Sequence, residues 1–221
     1  MKENSRNATE RFWDRAAPSY DKEEQKHEKT YHLVIEKLKD YLQPTDFVLD
    51  FGCGTGVVAH EIAKTVKGIY AIDISSNMVL LGKTKAEELQ LKNIQYTHAT
   101  IDNDNLKAGT FDVVLALHIL HLVEDTSITL QRIMELLKPG GLLISVTPCM
   151  ANKPLFSSIL SLLSRIGIVP DITSFTPKQL EQLLADENFA IVETGKLAGT
   201  SNQYFIVGKK IIKSISVVNS K

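Results

Sequence analysis

Cysteine is scarce. Two in 221 residues, Cys53 and Cys149, are too few for a disulfide framework or a four-ligand zinc site, so both read as reduced thiols and no metal is expected. Nowhere do about eighteen apolar residues run together, which leaves no candidate for a membrane-spanning helix. The opening stretch MKENSRNATERFWDRAAPSYDKEEQKHEK also lacks the apolar segment of a secretory leader. A cytoplasmic location without membrane insertion is expected. Neither sign of charge is in excess: 25 Lys plus Arg against 26 Asp plus Glu leave a formal net charge of −1. The broad basic field with which nucleic-acid binders neutralise phosphates is therefore missing, and no nucleic-acid partner is expected.

What remains is an ordinary globular composition, 43% hydrophobic and 23% charged, at a length suited to one α/β domain. Residues 1–44 read as two N-terminal cap helices separated by a turn around Pro18, the second stopped by Pro44. From Phe47 short apolar runs alternate with amphipathic ones. FVLDF, GIYAID, IQYTHA, FDVVLAL and GLLISVT are strands, separated by helices over Val57–Val66, Asn77–Leu89 and Thr126–Leu137. Lys138-Pro139-Gly140-Gly141 reads as a helix stop and sharp turn. An apolar insertion follows in 149–175, with Leu155, Ile159, Leu162, Leu163 and Ile166 at helical spacing up to Ile168. In 176–210, Thr176, Pro177 and Gln179 give a helix its N-cap, first residue and capping-box partner. The strands AIVET and QYFIVGKK close the fold. The tail from Ile211 to Lys221 has no assignment. Strand–helix alternation predicts an α/β fold: a Rossmann-like, doubly wound, mostly parallel seven-stranded sheet with helices on both faces.

The stretch most informative about chemistry is VLDFGCGTG, Val48 to Gly56. Asp50 ends an apolar strand, and Gly52, Gly54 and Gly56 follow it before a helix. Missing Cβ atoms let a ligand touch backbone at a strand–turn–helix junction, which is how nucleotides are bound. The dinucleotide fingerprint needs Gly or Ala at the position of Val57, and a phosphate-binding P-loop needs Lys followed by Ser or Thr; neither is met. Twenty-three residues beyond Asp50 (73 − 50), Asp73 ends the second strand, at a spacing suited to a carboxylate that accepts from a ribose diol. It alternatively caps the helix that begins in DISS.

VLDFGCGTG resembles motif I of the class I S-adenosylmethionine-dependent methyltransferases. ATIDNDNL, FDVVLALHILHLVED and LKPGGLLISVTP resemble the segments that follow it, so the likeness runs through 46–148. FWDRAAPSYD resembles the N-terminal helix of small-molecule members, including those of quinone biosynthesis. The resemblance implies an enzyme holding S-adenosylmethionine and releasing S-adenosylhomocysteine. Gly52, Cys53 and Gly54 would offer backbone, and Asp50 would favour the ligand's ammonium. Asp73, with Ile74 and Met78 beside it, would take the ribose; Asp102 and the Asn103 N–H would meet the adenine. Leu117 would line the crevice, and Tyr20 is either a contact at the methionine end or a core aromatic.

The implied chemistry is transfer of a methyl group to a small, apolar or aromatic acceptor by in-line displacement, which depends mainly on positioning. A general base is needed only if the acceptor must lose a proton. His118 is the candidate, and His121 either shares that role or packs beside the next helix. Phe12, Trp13 and the apolar face of Leu155–Ile168 are candidates to cover the acceptor, or else complete the core. The loop Leu106–Phe111 is shorter than usual for the family, and Ala116 stands where a small polar residue is frequent. Competing expectations are a protein or RNA acceptor, and a protein that binds the donor or its product without transfer.

Overall fold

The computed structural model describes residues 3–25, 28–149, 172–197, 200 and 202–211. Seven strands form one sheet: β1 (Phe47–Phe51), β2 (Gly68–Asp73), β3 (Ile94–His98), β4 (Phe111–Leu117), β5 (Leu137–Pro148), β6 (Phe189–Lys196) and β7 (Gln203–Lys210), in the order β3-β2-β1-β4-β5-β7-β6. β1 to β5 pair in parallel, whereas β7 lies antiparallel between β5 and β6, so the sheet is mixed.

The strands are apolar on both faces because helices cover both. Alternate residues of β1 divide between the two layers. Leu49 packs with the side chains of α5 (Thr126–Leu136) and α6 (Pro177–Asp186). Val48 packs with those of α2 (Glu28–Lys39) and α3 (Val57–Ile62). α4 (Ser76–Glu88) and α1 (Glu3–Gln25) complete the set. Local signals place several boundaries: Ser75 caps α4, Asp125 caps α5, and the Thr176/Gln179 capping box opens α6 with Pro177 in its first turn.

Three sequence expectations are corrected. α1 is continuous through Pro18, where a turn was expected. Proline has no N–H for the carbonyl four residues back, that of Asp14, and this carbonyl accepts instead from the Asn77 side-chain amide of α4 at 3.1 Å. Tertiary contact thus replaces the bond that the ring removes. The helix from Val57 ends at Ile62 and tightens into a 3-10 turn over Ala63–Thr65 instead of reaching Val66. Lys138-Pro139-Gly140-Gly141 lies inside β5: α5 passes straight into the strand, Leu137 pairs with Phe111, and an irregularity in register between Phe111 and Val113 absorbs the misfit. Gly140 supplies a φ of +77° there, and the Lys138 ammonium holds both oxygens of Asp112 at 2.8 and 2.7 Å. The apolar stretch Leu155–Ile168 and the tail beyond Ile211 lie outside the described residues.

Candidate active site

Strand order reverses between β1 and β4, and a parallel sheet opens a crevice at the carboxyl ends of its strands at such a point. A cavity of about 490 Å³ lies there. Its floor is the turn after β1. The Gly52 and Cys53 N–H groups both donate to the Ile72 carbonyl, at 2.9 and 3.0 Å, which folds the turn against β2. Gly54 donates its N–H to Asp73 Oδ2 at 2.9 Å, and Ser75 donates its N–H to Asp73 Oδ1 at 2.8 Å. Asp73 therefore ties the glycine turn to the start of α4 while also lining the cavity. Each carboxylate oxygen retains a second lone pair for a ligand. Burial raises the Asp73 pKa; the two backbone N–H bonds oppose the rise, as does His98, while Asp14 adds to it.

Gly52, Gly54 and Gly56 all have positive φ, at +74°, +54° and +85°, but their surroundings differ. A Cβ on Gly54 would stand 3.3 Å from the Tyr20 ring of α1. A Cβ on Gly56 would run into the Tyr96 hydroxyl and the His60 ring. These two side chains share a hydrogen bond of 2.8 Å behind the turn. Gly54 is thus bare toward the cavity, whereas Gly56 is bare because protein fills the space.

Tyr20, Asp50, Gly52, Cys53, Gly54, Asp73, Ile74, Met78, Asp102, Leu117 and His118 come together on the cavity wall. Asn103 does not. Its N–H, expected to meet a ring, donates to the Thr100 carbonyl at 3.2 Å, and its side chain accepts from the Asn105 N–H at 2.8 Å, so both are spent within the turn. Trp13 lines the cavity beside Tyr20; Phe12 packs edge-on against Trp13 and is not part of the wall. Burial, and then Asp50 and Asp73, push the Cys53 thiol well above its ordinary pKa, which removes the thiolate a nucleophile would need.

The two histidines after β4 separate cleanly. His118 lines the cavity with a φ of +57°, a conformation a non-glycine residue adopts only where its surroundings impose it. Its N–H bonds the Val146 carbonyl at 2.7 Å, and its ring meets Tyr31 of α2 edge-on at 6.0 Å. His121 is off the wall. Its Nδ1 is buried without a hydrogen-bond partner among the described residues, and burial, then His118, depress its pKa to about 4.

With this geometry in place, the comparisons are decisive about family. A family model described as a methyltransferase domain matches residues 42–197. The chain belongs to the methyltransferase family. It is 26% identical over 209 residues to a ubiquinone biosynthesis O-methyltransferase of Rickettsia typhi, covering 85% of this chain and 83% of that protein. A second such enzyme, from Colwellia psychrerythraea, is 33% identical over 130 residues, 57% of this chain and 51% of that one. A methyltransferase of Mycobacterium bovis, named as uncharacterized, is 34% identical over 118 residues, 52% of this chain and 58% of its own. In these last two comparisons the chain spans little more than half of its relative's length. Among solved structures, geranyl diphosphate C-methyltransferase from Streptomyces coelicolor superposes with a TM-score of 0.76 at 14% identity, covering 95% of this chain and 99% of that one. The fold is that of the methyltransferases.

Within this methyltransferase domain the sequence reading missed a large part of the wall. Thr9 and Tyr31 arrive on α1 and α2, and Ile119, Leu122, Glu124, Ile128 and Thr129 come from the turn after β4 and the start of α5. Thr9 carries a weak signal, since Thr9, Trp13 and Tyr20 recur at helical spacing on one face. Tyr31 carries none, because its place in the wall depends on how α2 docks.

Proposed function

We propose that this protein is an S-adenosylmethionine-dependent methyltransferase acting on a small, uncharged, apolar or aromatic molecule. The observation that carries the reading is the Gly54–Asp73 pair: a backbone-bare turn whose N–H is fixed to the carboxylate at the end of β2, on the wall of a cavity of about 490 Å³. The residues fit the donor. Asp73 has lone pairs for the ribose hydroxyls, Asp50 supplies negative charge for the ammonium, Asp102 can accept from the adenine amino group, and Tyr20 covers Gly54. When bound, the donor supplies a sulfonium-activated methyl group. The chain's own task is to hold an acceptor atom in line with it and to exclude water, with Trp13, Tyr31, Ile119 and Leu122 forming apolar wall.

The charge of the wall supports an acceptor without phosphate or carboxylate. Among the described residues that line the cavity, Asp50, Asp73, Asp102, Glu124 and Asp125 are acids, and none is Lys or Arg. An acceptor bearing a hydroxyl would lose its proton to His118, the one imidazole on the wall among the described residues. Calorimetry with S-adenosylmethionine and S-adenosylhomocysteine tests donor binding, and transfer of a tritiated methyl group to a panel of phenols, quinols and apolar alcohols tests the acceptor class. Failure of both ligands to bind at millimolar concentration would overturn the reading. Binding without transfer to any acceptor, protein and RNA included, would replace it with a ligand-binding role.

A further inference from the structure

α1 meets the rest of the molecule along two neighbouring stripes. Thr9, Trp13 and Tyr20 face the cavity. Glu10 and Asp14, four residues apart and thus on one side of the helix, face β3 and α4 instead. Glu10 Oε1 lies 3.1 Å from His98 Nε2. Asp14 Oδ1 accepts from the Ser75 hydroxyl at 2.6 Å and from the Asn77 N–H at 3.1 Å, and the Asp14 carbonyl takes the Asn77 side-chain amide. Ser75 is fully buried and every part of it is engaged: its hydroxyl also caps the Met78 N–H at 3.1 Å, and its own N–H goes to Asp73. Hydrogen bonds therefore run without a break from α1 to the glycine turn, through Asp14, Ser75, Asp73 and Gly54.

We propose that Asp14 is a positioning residue of the cofactor site. By accepting from Ser75 and Asn77 it fixes α1 on the start of α4, which places Trp13 and Tyr20 over the cavity. Through Ser75 it also holds the Asp73 carboxylate at the angle a ligand meets. The identity of that ligand rests on the methyltransferase reading; the attachment of α1 does not. Removing Asp14 leaves a buried hydroxyl and a helix-terminal N–H without their acceptor, whereas asparagine keeps an oxygen that can accept from both.

The test uses the full chain, with S-adenosylhomocysteine as probe and acrylamide quenching of Trp13, the sole tryptophan, as a reporter of α1. For Asp14→Ala, quenching should rise even without ligand, and Kd should weaken about 10- to 150-fold, the equivalent of losing a hydrogen bond to a charged group. Asp14→Asn should restore both. Wild-type quenching and affinity in Asp14→Ala would overturn the proposal, as would an Asp14→Asn protein no better than Asp14→Ala, since charge and not geometry would then be the operative property. Should Asp14→Ala fail to fold, Ser75→Ala, which removes the hydroxyl that the Asp14 carboxylate accepts from, must raise Trp13 quenching or the proposal falls. If the wild type itself does not bind the probe, the methyltransferase reading fails, and Trp13 quenching alone decides about Asp14.

Discussion

His121 illustrates how burial sets what a side chain in the turn after β4 does. With its pKa depressed to about 4, its ring is neutral at physiological pH. A histidine whose folded pKa lies below its unfolded value of about 6.5 contributes stability that is present above the unfolded value and lost as pH falls toward the folded one, here about 2–3 kcal/mol between roughly pH 6.5 and 4. Urea unfolding of wild type and His121→Phe over that range should show a shallower acid decline in the variant; parallel declines would refute the assignment. The thiols behave alike: Cys53 is raised well above its ordinary range by burial and two carboxylates, and burial takes Cys149 to about 11. Iodoacetamide at pH 7.5 should modify neither on a timescale that consumes free cysteine, as read by mass spectrometry. For Asp73→Ala, calorimetry should show S-adenosylhomocysteine affinity weakened by about 1.5–3 kcal/mol, the range for lost hydrogen bonds to a charged group. Unchanged affinity would remove Asp73 from the binding machinery.

At the scale of elements, legibility tracked how local the cause was. β4, β7 and the start of α6 were readable because their signals, short continuous apolar runs and capping chemistry, lie within a few residues. Thr176→Ala should cost about 1 kcal/mol in urea unfolding, since its hydroxyl accepts the Gln179 N–H at 3.2 Å and its loss breaks the capping box. The course of α1 through Pro18 was not readable, because the partner that rescues the Asp14 carbonyl, Asn77, stands 63 residues away. Similarly, Lys138 and Gly140 look like a stop until Asp112 and Phe111 are seen beside them. The part of the cavity wall built from acids and glycines was legible because they lie at strand ends with fixed spacing. The opposite wall was not, since Tyr31, Leu122 and Ile128 reach it by the docking of whole helices.

For the molecule as a whole, one cavity couples α1, α2, four strand ends and α5, so a ligand there should be felt globally. At S-adenosylhomocysteine concentrations of about 100 times Kd, mass action adds roughly 2.7 kcal/mol to stability. The melting temperature measured by scanning calorimetry should rise with ligand and keep rising logarithmically beyond saturation; a constant value would mean that no folded-state binding occurs. The placement of β7 bears on something else, the order in which the protein is made. Among the described residues β6 has β7 as its only neighbour in the sheet, and β7 is synthesised after it. On the ribosome, a nascent chain that has emerged only as far as Lys196 can assemble the five parallel strands, yet has nowhere to seat the sixth. The edge of β5 stays open to chaperones and to other nascent chains, and β6 stays unpaired, until Gln203–Lys210 slides between them.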